Sequence, residues 1–206
     1  MTRIIPITIG FIITAYVCFT PAWAITIDGK DWLQPADFIN VNQQTLRMMF
    51  DDNGQWIQGA KDNINGIDIK DCTLASVNDV STMFNNYPEL SIAPDDYIRR
   101  PNSPWAPRIL SDFTPTISDS THTSVYGFTQ PHLQPVAHMA FIQDQTGPQG
   151  DDLAAIIGYH NIGPFAVEDW IGVWLYRNPA PVPEPTTLVL LGLGILGMTC
   201  MRRKKP

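Results

Sequence analysis

The chain has 206 residues and a net charge of −7, which sets the expectation of one domain with appendages. The charge is unevenly spread: residues 25–181 hold eight Lys/Arg against nineteen Asp/Glu, a balance of −11, while five cations lie in the terminal segments. Such acidity excludes unaided attraction to nucleic acid or to an anionic membrane surface, and favours metal ions, cationic partners or neutral sugars.

Residues 1–24 carry one early cation, Arg3, then an apolar stretch from Ile4 to Phe19, a helix-breaking Pro21 and the tripeptide Ala22-Trp23-Ala24. Small residues flanking an arbitrary one suit signal peptidase, so a signal peptide cleaved after Ala24 is expected, with Ala22 and Ala24 as its recognition residues. An uncleaved N-terminal anchor is the alternative. Cys18 leaves with this segment and Cys200 lies in the tail, so Cys72 stands alone in the exported part and no intrachain disulfide is expected.

An exported domain is predicted over residues 25–178. It starts with a strand, Ile25 to Ile27, and a turn at Asp28-Gly29. Asn42 is placed to cap a helix from Gln43 to Phe50, whose Leu46, Met49 and Phe50 share a face. Ser76 with Asp79 three residues on predicts a second capped helix carrying Val77, Val80, Met83 and Phe84. From Tyr87 to His122, prolines 88, 94, 101, 104, 107 and 115 predict a long irregular segment. Three apolar runs, Val136 to Gln143, Leu153 to Tyr159 and Trp170 to Arg177, then read as an antiparallel meander. The expected fold class is α+β, with two short helices early, the Pro-rich segment, and strands late.

Chemistry-bearing motifs are scarce. Lys61 and Cys72 occupy the positions where an EF-hand loop needs Asp and Glu, so that loop fails as a calcium site. The four histidines show no zinc-ligand spacing, and no serine sits in a nucleophile elbow. Paired acids at turns, such as Asp51-Asp52 and Asp151-Asp152, read as solvated charge, with calcium bridging or a glycan-processing cleft as alternatives. Cys72 reads as a buried structural thiol, since Asp71 beside it would raise its pKa. Trp32, Trp56, Tyr97, Trp105 and Tyr126 are the candidates for stacking on sugar rings. Trp105, between two prolines, is the one singled out as a ligand contact. No catalytic residue, metal or cofactor is expected, and the domain is read as non-enzymatic.

The tail, residues 179–206, has a distinctive order of parts. A spacer bearing Pro179, Pro181, Pro183 and Pro185 contains the triplet Pro183-Glu184-Pro185. Thr186 to Met201 then gives 16 uncharged residues, a helix ~24 Å long against a hydrocarbon core of ~30 Å. Arg202, Arg203, Lys204 and Lys205 form a basic stop expected to stay cytoplasmic. Within the apolar run, Gly192 to Gly197 spells G-x-G-x-x-G but lacks the strand, turn and distant acid of a dinucleotide site; small residues permitting close helix approach explain it better.

This tail resembles the PEP-CTERM sorting signal of Gram-negative bacteria. The resemblance implies recognition of the triplet by exosortase, a membrane-embedded cysteine transpeptidase. It also implies an inner-membrane stage followed by transfer to the cell surface, in a setting of exopolysaccharide export. More loosely, Trp32-Leu33-Gln34, Leu74 to Val80 with Met83-Phe84-Asn85, Ser103 to Pro107 and Gly172 to Arg177 together resemble the C-terminal domain of Legionella collagen-like adhesins. That likeness implies polysaccharide or matrix binding and transfers no binding residue. A purely structural matrix protein is the rival expectation.

Overall fold

A computed structural model describes residues 24–130, 137–145, 150–159 and 167–179. In chain order these form β1 (Ile25–Ile27), β2 (Lys30–Trp32), a 3-10 turn (Pro35–Phe38), α1 (Gln43–Met49), β3 (Asn63–Ile64), β4 (Ile67–Asp68), β5 (Cys72–Leu74) and α2 (Val77–Phe84). There follow β6 (Tyr97–Pro101), α3 (Trp105–Asp112), β7 (Ile117–Ser118), β8 (His122–Phe128), β9 (Ala137–Gln145), β10 (Asp151–Tyr159), β11 (Gly172–Val173) and β12 (Leu175–Arg177). The class is α+β.

Local chemistry accounts for the early elements. Asp28 and Gly29, at φ +51° and +69°, make the two-residue turn of the β1–β2 hairpin, and Asn65 and Gly66, at +51° and +84°, repeat it between β3 and β4. Asn42 starts α1 by accepting from the Thr45 amide at 2.7 Å. Ser76 and Asp79 close a reciprocal capping box on α2: the Asp79 amide donates to Ser76 Oγ at 3.1 Å and the Ser76 amide to Asp79 Oδ2 at 2.9 Å. The other oxygen of Asp79 accepts from Lys30 Nζ at 2.5 Å, tying this cap to the first hairpin.

The Pro-rich segment is more ordered than its composition predicts. Pro104 precedes α3 and Pro107 is the helix's third residue, within the first turn, where backbone N–H groups have no intrahelical partner. Pro101 ends β6, an edge strand of its sheet, where a missing donor costs no ladder bond on the open side.

Two sheets organise the whole. One runs β1-β2-β12-β5; the larger runs β11-β8-β9-β10-β6, with β7 also pairing β8. The predicted meander is corrected in its last member. The run 170–177 splits: Gly172 and Val173 pair in parallel with β8, and Leu175 to Arg177 cross into the smaller sheet between β2 and β5. The place of the third antiparallel strand is taken by β8, whose alternation was not read in the sequence.

The crossover is pinned by Trp174. Its indole Nε1 donates to the Ala140 carbonyl at 2.9 Å, and Phe113, Phe84 and Trp32 meet its ring edge-on at 5.2, 5.7 and 6.3 Å. A Cβ at Gly127 would lie 2.7 Å from that ring, and one at Gly172 would lie 1.9 Å from the Pro35 carbonyl oxygen. A side chain at either position would force its neighbour to move.

The larger sheet is buried on both faces over much of its width. Ala140, Ile142, Ala154 and Ile156 face α2 and α3, whose Val80, Phe84 and Ile109 are fully buried. Phe128, Met139 and Ala155 face α1, β5 and the 3-10 turn through Leu46, Leu74 and Phe38. Among the described residues, the second covering layer stops short of the β6 edge.

Candidate functional site

The uncovered part of that second face forms a half-open cleft of about 380 Å³, near the lower end of the ~300–1,000 Å³ of small-molecule sites. Period-two alternation builds it. On β9, Ala140 and Ile142 point to the helices, which sends Phe141, Gln143 and Gln145 to the cleft side. The register sets Phe141 beside Ala155 and Ala155 beside Tyr97, while Gln143 lies beside Leu153 and Leu153 beside Arg99. Asp151 completes the lining at the mouth of the β9–β10 hairpin.

Its groups are held in defined states. Arg99 Nε and Asp151 Oδ2 form an ion pair at 2.7 Å, with Arg99 largely exposed. Tyr126 stacks on Phe141 with ring centres 4.7 Å apart, meets Trp170 edge-on at 5.0 Å, and donates its hydroxyl to Gln143 Oε1 at 3.2 Å. Gln145 Oε1 accepts from the Asp151 amide at 3.3 Å. Both glutamines are thus held through their oxygens, and their amide nitrogens have no partner among the described residues. Tyr97 stands 65% exposed on the edge strand. The arrangement offers an aromatic surface, N–H donors, and one carboxylate already compensated by a cation.

The structure divides the predicted aromatics. Tyr97 and Tyr126 come to the cleft region, whereas Trp32 is buried beside Trp174. Trp105 requires a correction: as the first residue of α3 it is fully buried in the core against the large sheet, so it presents no surface to a ligand. Its flanking prolines start a helix rather than expose a loop. Trp56 is half-buried and donates to the Lys61 carbonyl at 3.2 Å. Gln143, Gln145 and Arg99 were missed by sequence reasoning, and Asp151 was read only as one of a pair of acids at a turn. The signal for them was the alternation of apolar Ala140 and Ile142 with Phe141, Gln143 and Gln145.

Other candidates resolve as structure. Cys72 is buried, and burial pushes its thiol above the usual range although Arg177 Nε, 3.3 Å from the sulfur, pulls the other way. Asp51 accepts from the Asn53 and Gln55 amides and serves its turn. His138 is buried in β9 with Nδ1 3.9 Å from Asp95. Among the described residues, no three His, Cys, Asp or Glu side chains are grouped to hold a metal ion.

Ala24 lies half-buried just ahead of β1. Ala22, the triplet Pro183-Glu184-Pro185, the run 186–201 and the basic stop Arg202 to Lys205 lie outside the described residues. No helix among the described residues is long and apolar enough to cross a membrane. Residues 181–204 match the PEP-CTERM protein-sorting motif. The match spans the triplet, the apolar run and the first three residues of the basic stop. The PEP-CTERM motif marks an exported protein sorted by exosortase, and membrane-associated sorting followed by export to the cell surface goes with it. No curated protein matches the chain, and no solved structure does. The likeness to the adhesin domain therefore gains no support.

Proposed function

We propose that this chain is a non-enzymatic matrix protein of the cell surface whose domain, residues 25–178, binds polysaccharide. In this reading the signal peptide exports the domain and the segment 186–201 holds it in the inner membrane in a single pass, domain outside. Exosortase then acts at Pro183-Glu184-Pro185, and the domain is released or transferred outward. The observation that carries the reading is the PEP-CTERM match over residues 181–204. The cleft beside β6 supports the binding role: its lining pairs an exposed tyrosine with hydrogen-bonding side chains, and the one carboxylate among its described lining residues, Asp151, is tied to Arg99. That lining speaks for holding a sugar over cleaving one, since glycoside hydrolysis generally uses two facing carboxyl groups.

Sorting and binding have separate tests. Glu184→Ala should leave full-length protein in the inner-membrane fraction, read by immunoblot after fractionation; unchanged processing would overturn exosortase recognition. For binding, the wild-type chain should be retained on immobilised exopolysaccharide from the producing cells and Tyr97→Ala should be retained less. Equal passage of both would overturn it.

A further inference from the structure

We infer that the cleft lined by Tyr97, Arg99, Gln143, Gln145 and Asp151 takes a neutral, hydroxyl-rich sugar chain and discriminates against uronates and other anionic glycans. The inference rests on the polysaccharide-binding reading and deepens it by assigning the site and the ligand class. Three observations converge on neutrality.

First, Arg99, the only cation of the lining among the described residues, is already matched. Asp151 holds Arg99 at 2.7 Å, so an incoming carboxylate would have to displace Asp151 or sit beside it, at a cost that a hydroxyl does not meet. Second, the remaining polar groups suit hydroxyls. Tyr126 and the Asp151 amide occupy the oxygens of Gln143 and Gln145, which leaves amide N–H donors and the terminal nitrogens of Arg99 to give hydrogen bonds. Asp151 accepts them. A sugar hydroxyl both donates and accepts, and so uses both kinds of group; a carboxylate can use only the donors. Third, the surrounding domain carries −11 over residues 25–181 and repels polyanions at long range. Tyr97, 65% exposed on the edge strand, supplies the apolar face on which a sugar ring lies.

Asp151 is therefore a specificity residue. It holds Arg99 against anions as well as accepting a hydroxyl.

The test uses the full chain in detergent, titrated with glucan or galactan oligosaccharides and, in parallel, with oligogalacturonate. Expected are binding of a neutral oligosaccharide that changes little with added salt, weakening by about tenfold in Tyr97→Ala, and no comparable oligogalacturonate binding. Asp151→Asn frees Arg99 and should shift preference toward oligogalacturonate in a salt-sensitive way. Tyr97 is exposed and Asp151 partly so, and a thermal melt matching the wild type establishes that the variants are folded. Oligogalacturonate binding equal to or tighter than the neutral chains would overturn the neutral assignment while leaving polysaccharide binding intact. Binding of neither class would overturn the binding role of this cleft itself. Neutral binding untouched by both substitutions would place the site elsewhere and overturn the assignment.

Discussion

The indole ring of Trp174 occupies the space where Gly127 would carry its Cβ, 2.7 Å from the nearest ring atoms. Trp174 sits at the point where the chain passes from the large sheet to the small one, and β8 runs directly beneath it. The close approach lets a single tryptophan seal the junction of the two sheets and still reach the Ala140 carbonyl.

Gly127→Ala forces this ring or β8 to move. Overpacking of this kind costs about 1–3 kcal/mol, and a protein of this size loses roughly 2–4 °C of Tm per kcal/mol. Urea unfolding with an unchanged m-value and a lower midpoint is the expected result.

Trp105→Ala should destabilise strongly, by about 3–5 kcal/mol, because it empties a fully buried site under the large sheet. Its indole Nε1 has no hydrogen-bond partner among the described residues. Trp105→Phe, which removes that unpaired donor, should therefore cost far less than alanine. Thermal melts of the two variants check this, and they make Tyr97, not Trp105, the position for binding controls.

Ser76→Ala removes the hydroxyl that accepts from the Asp79 amide while leaving Asp79 on Lys30. The expected loss is about 1 kcal/mol. Amide hydrogen exchange should rise first in the opening turn of α2.

Asp144 gives a pH dependence. The β9–β10 register, carried one residue on, sets it opposite Asp152, which is buried and accepts from the amide and hydroxyl of Ser103. Burial, then the charge of Asp152 and its hydrogen bond, raise Asp144 above the ordinary carboxylate range. The folded protein thus holds this proton more tightly than the unfolded chain. Its contribution to stability is complete below the ordinary carboxylate pKa and is lost as pH rises through the raised folded value. Like charges directly opposite in a ladder cost roughly 0.2–1 kcal/mol. Asp144→Asn should therefore raise Tm at neutral pH by about 1–3 °C and shrink the gain seen on mild acidification, both read by calorimetry.

What could be read from the sequence was what neighbouring residues decide among themselves. Asn42, Ser76 with Asp79, and Asp28-Gly29 each act within three residues, and each forms the cap or turn its spacing predicts. Helix α3 and strand β6 could not be read so easily. Whether Pro101, Pro104 and Pro107 break structure depends on where a helix starts and which strand is an edge, and distant partners settle both. The destination of β12 was equally hidden, since its neighbours β2 and β5 lie more than a hundred residues earlier. The cleft depends on register: Tyr97, Leu153 and Gln143 adjoin only because β6, β10 and β9 pair as they do. The choice of Trp105 failed for the same reason, because a tryptophan between prolines looks alike in a loop and at a buried helix start.

Strand β12 is flanked by β2 on one side and β5 on the other, and among the described residues it is the last strand before the sorting tail. Arg177, its final residue, donates to the Asp68 carbonyl at 2.7 Å and to the Cys72 sulfur at 3.3 Å. Pro183 comes only six positions later. A pull on the tail enters the fold along the axis of a doubly bonded strand. It loads two ladders at once, where an edge strand would load one. A domain tethered from this end hangs by a strand held on both sides.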